Sequence, residues 1–185
     1  MAGRRTDTKE RIQQVALELF AERGYEQTTL QEVAERLEIT RPALYYHFRT
    51  KEAILESVLQ GLVESIEELV RWGHEQPKTL ESRREILRRI AELLEHKWQA
   101  LFKFAQVNQG VIQGMPAGER MQAEMIKMVS LLEVPGASPA RQFEARLAVF
   151  AVIIGSVPFL FDMDVPESQR PSVAMEVALK LIAED

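Results

Sequence analysis

The stretch "TLQEVAERLEITRPALYYHF", residues 29–48, predicts two helices joined by a short turn. Thr29 and Glu32 have the spacing of a capping box, in which the two side chains satisfy free backbone N–H groups at the start of a helix. Thr40 is placed to cap a second helix, and Pro42 falls in the first turn of that helix, where a missing N–H costs nothing. A turn of about three residues between them gives the dimensions of a helix-turn-helix.

Hydrophobic residues recur with helical spacing along almost the whole chain of 185 residues, and no useful run alternates like a strand. The predicted fold class is therefore all-α, with about nine helices. Beyond a break at 71–78, later helices are expected at roughly 80–97, 98–113, 117–133, 138–162 and 167–183.

The composition argues against several classes of protein. There is no cysteine, and the longest apolar run, 147–161, is shorter than the roughly 20 residues that a membrane-spanning helix needs. No secretory signal is visible at the N-terminus. The three histidines are scattered, and no metal-binding spacing or nucleophile motif occurs. We therefore expect a cytoplasmic protein that is not an enzyme and holds no metal or cofactor.

The helix predicted after Thr40 has two unlike faces. The residues expected on its inner side are Ala43, Leu44, His47 and Phe48. The residues expected toward solvent are Arg41, Pro42, Tyr45 and Tyr46. A tyrosine can donate its hydroxyl to a phosphate, and an arginine can bind guanine with two hydrogen bonds. The same face can instead pack against a protein, so a helical adaptor without DNA binding is the alternative.

The distribution of charge favours DNA as the partner of this face. The chain has a net charge of −5, yet residues 39–51 contain no Asp or Glu. A surface cleared of carboxylates avoids repulsion from DNA phosphates. Lys51, in the first turn of the next helix, opposes the helix dipole unless an anion such as a phosphate binds there.

Three ordered segments carry a resemblance to a known family: "LFAERGYEQTT" (19–29), "VAERLEIT" (33–40) and "LYYHFRTKEAIL" (44–55). With them, residues 11–59 resemble the N-terminal domain of the TetR family of bacterial transcription regulators. The resemblance implies a homodimer that binds a palindromic operator, usually as a repressor that a small ligand releases. We accordingly expect a three-helix DNA-binding domain over residues 1–52, with its motif at about 29–48, and a helical ligand-binding and dimerisation domain over residues 53–185.

By position, the resemblance implies DNA contacts at eight residues. These are Thr29, Thr40, Arg41, Pro42, Tyr45, Tyr46, His47 and Lys51. The chain departs from the family pattern at the turn, where Glu38 stands in the usual place of glycine. A non-glycine residue in a left-handed turn costs about 1 kcal/mol or more, so the turn is expected to be strained or reshaped. Pro42 is the second departure, because a small residue is usual there.

The larger half predicts two further surfaces. The last two helices, from each of two subunits, are expected to form a four-helix dimer interface. A pocket with apolar walls and a few amides is expected among the fourth to eighth helices, for a small, largely hydrophobic effector. The residues expected to line it are Trp98, Phe102, Gln106, Gln109, Met121, Met125, Phe150 and Ile154. A methionine stripe is also typical of plain core. Gly155, Ser156 and Pro158 interrupt the eighth helix and predict either a kink beside a cavity or close helix packing.

Overall fold

The computed structural model describes residues 2–95, 99–108, 110–112, 115–156 and 164–183, with side chains from residue 7 onward except at 99 and 106. Within these residues the chain forms nine α-helices, two short 3-10 segments and no strand, which confirms the all-α prediction. The helices are α1 (Ala2–Arg23), α2 (Leu30–Arg36), α3 (Arg41–His47), α4 (Lys51–Glu75), α5 (Leu80–Leu93), α6 (Gln99–Val107), α7 (Pro116–Val129), α8 (Pro139–Ser156) and α9 (Arg170–Ile182). Among the described helices, none has both the length and the apolar character that crossing a membrane requires.

The starts of α2 and α3 are fixed by the threonines that the sequence predicts. The Thr29 hydroxyl accepts from the Glu32 backbone N–H at 3.2 Å, and the Glu32 carboxylate accepts from the Thr29 N–H at 2.8 Å. Thr40 accepts from the Ala43 N–H at 3.4 Å, and Pro42 lies in the first turn of α3. The predicted capping box and both helix starts are confirmed.

Other predicted boundaries and one predicted face are wrong. Helix α6 ends at Val107 instead of near residue 113, and Gly110, with a φ of +92°, lies in the turn that follows. Helix α1 begins at Ala2, whereas the sequence predicts its start at about Thr8. Ala43, expected on the inner side of α3, is exposed. Leu44 is therefore the buried residue of this short helix, and Phe48, directly after the helix, is buried as well.

The first of two compact units comprises residues 1–63 and 100–121. In it, α1 packs on α2 and α2 packs on α3. A hydrogen bond of 3.0 Å from Gln13 to the Ser57 hydroxyl joins α1 to α4. Its fully buried side chains include Ile12, Phe20, Val33, Leu44, Ile54, Leu59 and Phe104. The domain boundary expected after residue 52 stays a prediction.

The second unit comprises residues 64–99 and 122–185. Its main contact joins α8 to α9, and α5 packs on both. A Cβ atom at Gly155 would overlap the Cβ of Ala174 and lie 3.0 Å from the Arg170 carbonyl oxygen. Gly155 lies inside α8, so of the two roles predicted for it, the structure supports close helix packing.

Candidate DNA-binding surface

The turn between α2 and α3 keeps the geometry of a glycine turn although Glu38 occupies it. Glu38 has a φ of +55°, the left-handed region that favours glycine. The Ile39 N–H donates to the Ala34 carbonyl at 3.0 Å, and the Glu38 N–H donates to the Glu35 carbonyl at 3.1 Å. This pair of hydrogen bonds is a Schellman motif, which normally ends a helix with glycine. The turn is therefore strained and not reshaped, and α3 leaves it in the orientation that a glycine would give.

The outer face of α3 carries an aromatic and basic surface. Leu44 is completely buried and Phe48 is 5% exposed, so these two side chains fix the helix on the domain. Arg41 and Pro42 are exposed, and Tyr46 is 68% exposed. The α3 face, meaning Arg41, Pro42, Tyr45 and Tyr46, thus points largely away from the core, as the sequence predicts, although Tyr45 is half-buried.

Arg41 is held in place by Tyr45, one helical turn further along. The guanidinium donates to the Tyr45 hydroxyl at 3.1 Å, and its central carbon lies 5.2 Å from the centre of the Tyr45 ring. Arg23 and Arg36 on neighbouring helices are instead paired with Glu32 and Glu22. Because its partner is a neutral hydroxyl, Arg41 presents a fixed positive charge that is suited to a phosphate or a guanine base.

Two predicted contact residues serve the fold as well as the surface. The Thr29 hydroxyl donates to the Glu32 carboxylate at 2.9 Å while it caps α2. Hydrogen bonds from the Thr29 backbone and side chain, followed by the charge of Arg23, hold the pKa of Glu32 below its usual range. His47 is half-buried, with its ring 5.3 Å from that of Tyr46 in an edge-on arrangement.

Lys51 has a structural role that the sequence did not predict. Its ammonium group donates to the carbonyl oxygens of Tyr25 at 2.6 Å and Glu26 at 3.3 Å. It also lies 4.6 Å from the centre of the Tyr25 ring. Lys51 therefore holds the turn between α1 and α2, and a phosphate contact at this residue would be an additional role.

Two other basic residues near α3 were missed by sequence reasoning. The Lys9 ammonium on α1 lies 6.0 Å from the centre of the Phe48 ring. Arg49 is exposed in the bend that follows α3. Arg49 was detectable as part of the acid-free run, whereas the approach of Lys9 depends on how α1 packs.

The residues expected around an effector are only partly described. Trp98 and Gln109, and the side chain of Gln106, lie outside the described residues. Phe102 and Met121 are half-buried in the first unit, and Met125 and Ile154 are half-buried in the second. The last of the eight, Phe150, is 47% exposed on α8.

A cavity of about 150 Å³ in the second unit is lined by residues other than these. Its lining residues are Arg83, Leu132, Val134, Ala137, Arg141, Ala145, Leu181, Ile182 and Ala183. An effector site at the predicted residues therefore stays a prediction. Among the described residues, no group of three or more His, Asp or Glu side chains is placed to hold a metal ion.

The two C-terminal helices expose apolar side chains. Phe143, Leu147 and Phe150 follow one another at intervals of four and three residues along α8, and Phe143 is 61% exposed. Val173 and Val177 are exposed one turn apart on α9. We call these five residues the α8–α9 stripe.

Comparison with known proteins agrees with this arrangement. Residues 12–58 match the sequence model of the N-terminal domain described as "Bacterial regulatory proteins, tetR family". The transcriptional regulator PfmR of Thermus thermophilus, a TetR-family protein, has the same fold with a TM-score of 0.64 and 19% identity, over 92% of this chain and 97% of that chain.

Two relatives are transcriptional regulators. The repressor KstR2 of Rhodococcus jostii is 34% identical over 85 residues, covering 44% of this chain and 40% of the relative. The regulator TtgR of Pseudomonas putida is 27% identical over 169 residues, covering 82% of this chain and 79% of the relative. The helix-turn-helix, the matched segment and these relatives together identify residues 12–58 as the DNA-binding domain of a bacterial regulatory protein. The N-terminal helix-turn-helix domain of this chain, over residues 12–58, belongs to the TetR family of bacterial regulatory proteins.

Proposed function

We propose that this protein is a homodimeric repressor that binds a palindromic operator in the bacterial cytoplasm. The observation that carries the proposal is the α3 face, on which Arg41 is fixed by Tyr45 beside the exposed Tyr46. A helix that presents such side chains has the means to contact both base edges and phosphates in a major groove. Repression is supported by the relative KstR2, which is named a repressor.

The α8–α9 stripe supports the homodimer. Five exposed Phe, Leu and Val side chains on two packed helices form an apolar surface that is costly to leave in water. A two-fold axis through such a surface places the same side chains on both sides of the contact, which suits a palindromic site. We therefore assign the stripe to the contact with a second copy of the chain.

We also propose that a small, largely hydrophobic effector binds the protein and releases it from the DNA. The apolar contacts proposed for it are those that the sequence predicts, and of these Phe102, Met121, Met125 and Ile154 are half-buried. A thermal-shift screen of hydrophobic compounds tests this part, because a ligand that binds the folded state raises the melting temperature. A compound that raises the melting temperature must also release the selected DNA, or it is not the effector.

Selection of bound sequences from a random DNA pool tests DNA recognition. We expect an inverted repeat whose two halves have one fixed separation. Binding to the recovered sequence should weaken steeply as salt rises, because counterions are released from the phosphates that the protein contacts. Recovery of no common sequence, or an affinity indifferent to salt, would contradict the proposal and favour the helical adaptor.

A further inference from the structure

The side chain of Asn108, just after α6, joins the last turns of two helices. Its Oδ1 atom accepts from the Tyr25 backbone N–H at 2.7 Å. Its Nδ2 group donates to the carbonyl oxygens of Phe20 at 3.1 Å and Phe104 at 3.0 Å. Phe20 lies in the last turns of α1 and Phe104 in the last turn of α6. One amide group therefore satisfies backbone groups at the ends of both helices, all within the first unit.

Aromatic packing reinforces this connection. The rings of Phe20, Tyr25 and Phe104 form a mutual cluster with centre-to-centre distances of 5.0, 5.9 and 6.0 Å. Phe20 and Phe104 are fully buried, and Tyr25 is 5% exposed. The end of α6 is thus packed on the turn that leads from α1 into the helix-turn-helix.

The same turn is held from α4 by different chemistry. Lys51 donates to the Tyr25 and Glu26 carbonyls, and Glu52 forms a hydrogen bond with the Tyr25 side chain. Residues 24–28 are therefore fixed from two sides, by α4 and by the end of α6. Two attachments, to α4 and to the end of α6, restrict the orientation of this turn more than either attachment alone.

We propose that Asn108 is a positioning residue for operator binding, because it fixes the orientation of α1–α3 through the backbone of the α1–α2 turn. The inference rests on the proposed homodimer, in which two α3 helices must reach two half-sites at one separation. In this proposal Asn108 acts through the backbone of that turn and not by touching DNA. Its role is to restrict the separations at which both copies bind together.

The chemistry of the amide makes the role testable with a nearly isosteric change. Asn108→Asp keeps the acceptor for the Tyr25 N–H but removes both donors. It also places a negative charge against two carbonyl oxygens at the negative ends of α1 and α6. Asn108→Ala removes all three hydrogen bonds without adding charge. Lys103→Ala, an exposed substitution on α6, is the matched control.

The experiment measures affinity for the selected palindrome with base pairs added to or removed from its centre. Each base pair turns one half-site by roughly 35° and shifts it by about 3.4 Å. For wild type and Lys103→Ala, we expect the affinity to fall about tenfold or more when the separation differs by one base pair from the best one. For each of the two Asn108 variants, the affinities for palindromes of neighbouring separation should differ by no more than about threefold.

The ratio of affinities is independent of the fraction of active protein, so it remains measurable if a variant is less stable. If both Asn108 variants keep the wild-type preference, whatever their melting temperatures, the inference is overturned. If wild type itself shows no preferred separation, the proposed palindrome-binding homodimer fails, and the inference fails with it. The wild-type measurement therefore distinguishes the two failures.

Discussion

Helices α3 and α8 both expose aromatic side chains, but the chemistry of the two surfaces is opposite. On α3, the 68% exposed Tyr46 accompanies an arginine that is fixed on a tyrosine hydroxyl. On α8, the exposed Phe143, Leu147 and Phe150 offer no hydrogen-bonding side-chain group at all. A polar aromatic surface can bind a charged, hydrated partner, whereas an apolar one favours a partner that excludes water.

This difference suggests that exposure alone says little about the partner of a helix. What separates the two surfaces is the presence of hydroxyl and guanidinium groups and the absence of acids from residues 39–51. We therefore propose DNA as the partner of α3 and a second copy of the chain as the partner of α8. Substitutions on the two helices should therefore affect different measurements.

The largest expected effect is loss of the dimer in Leu147→Glu. A two-fold contact would bury the introduced carboxylate twice, and an unpaired buried charge costs about 3–5 kcal/mol. We expect dimer affinity, measured by sedimentation equilibrium, to fall by at least roughly 100-fold. Ile126→Glu is the matched control, because Ile126 is 64% exposed on α7 and is not part of the stripe. If both changes weakened the dimer equally, α8 would not be part of the interface.

A smaller effect is expected for Arg41→Ala on the opposite surface. Loss of a guanidinium that binds a base should weaken operator binding by about 1–3 kcal/mol and relax base preference at one position of each half-site. The measurement is binding to a library of operator variants. The dimer should be unaffected.

Lys51→Ala provides the contrast to this change. Because Lys51 holds backbone carbonyls, its loss should lower the melting temperature while base preference stays as in wild type. A relaxed base preference in Lys51→Ala, or an unchanged one in Arg41→Ala, would reverse the roles assigned to these residues.

Glu38→Gly should stabilise the folded protein, because glycine relieves the backbone strain in the turn. The left-handed conformation at φ +55° costs a non-glycine residue about 1 kcal/mol or more, which glycine would recover. Chemical unfolding should show this increase. Glu38→Gln retains the strain without the charge, and an equal gain from it would mean that charge, not conformation, is the cost.

The smallest expected effect is a loss of folding stability at low pH, caused by protonation of Glu32 at the start of α2. Because the folded-state pKa of Glu32 is lowered by the Thr29 hydrogen bonds, its contribution to stability is fully present above its unfolded pKa. That contribution is lost as the pH falls through the lowered value. Wild type should thus lose more stability than Glu32→Gln when both are unfolded at a series of pH values below about 5. Parallel losses would show that the capping box adds no acid sensitivity.

Sequence reasoning was most successful where a structure depends on neighbouring residues. The caps at Thr29 and Thr40 involve partners three residues away, and the strain at Glu38 follows from one backbone position. The contacts of Lys51 and Asn108 with Tyr25 span 26 and 83 residues, so no local pattern indicates them. The exposure of Ala43 was missed because a helix of seven residues gives too short a pattern to divide its faces.

The most direct test compares the affinity of wild type and Leu147→Glu for a full palindrome and for one isolated half-site. If α3 binds DNA and the α8–α9 stripe joins two copies, wild type should prefer the full site by at least about 100-fold. Leu147→Glu should bind the half-site as wild type does and lose most of the preference for the full site. Equal wild-type affinity for the two DNAs, or an unchanged preference in the variant, would contradict the account.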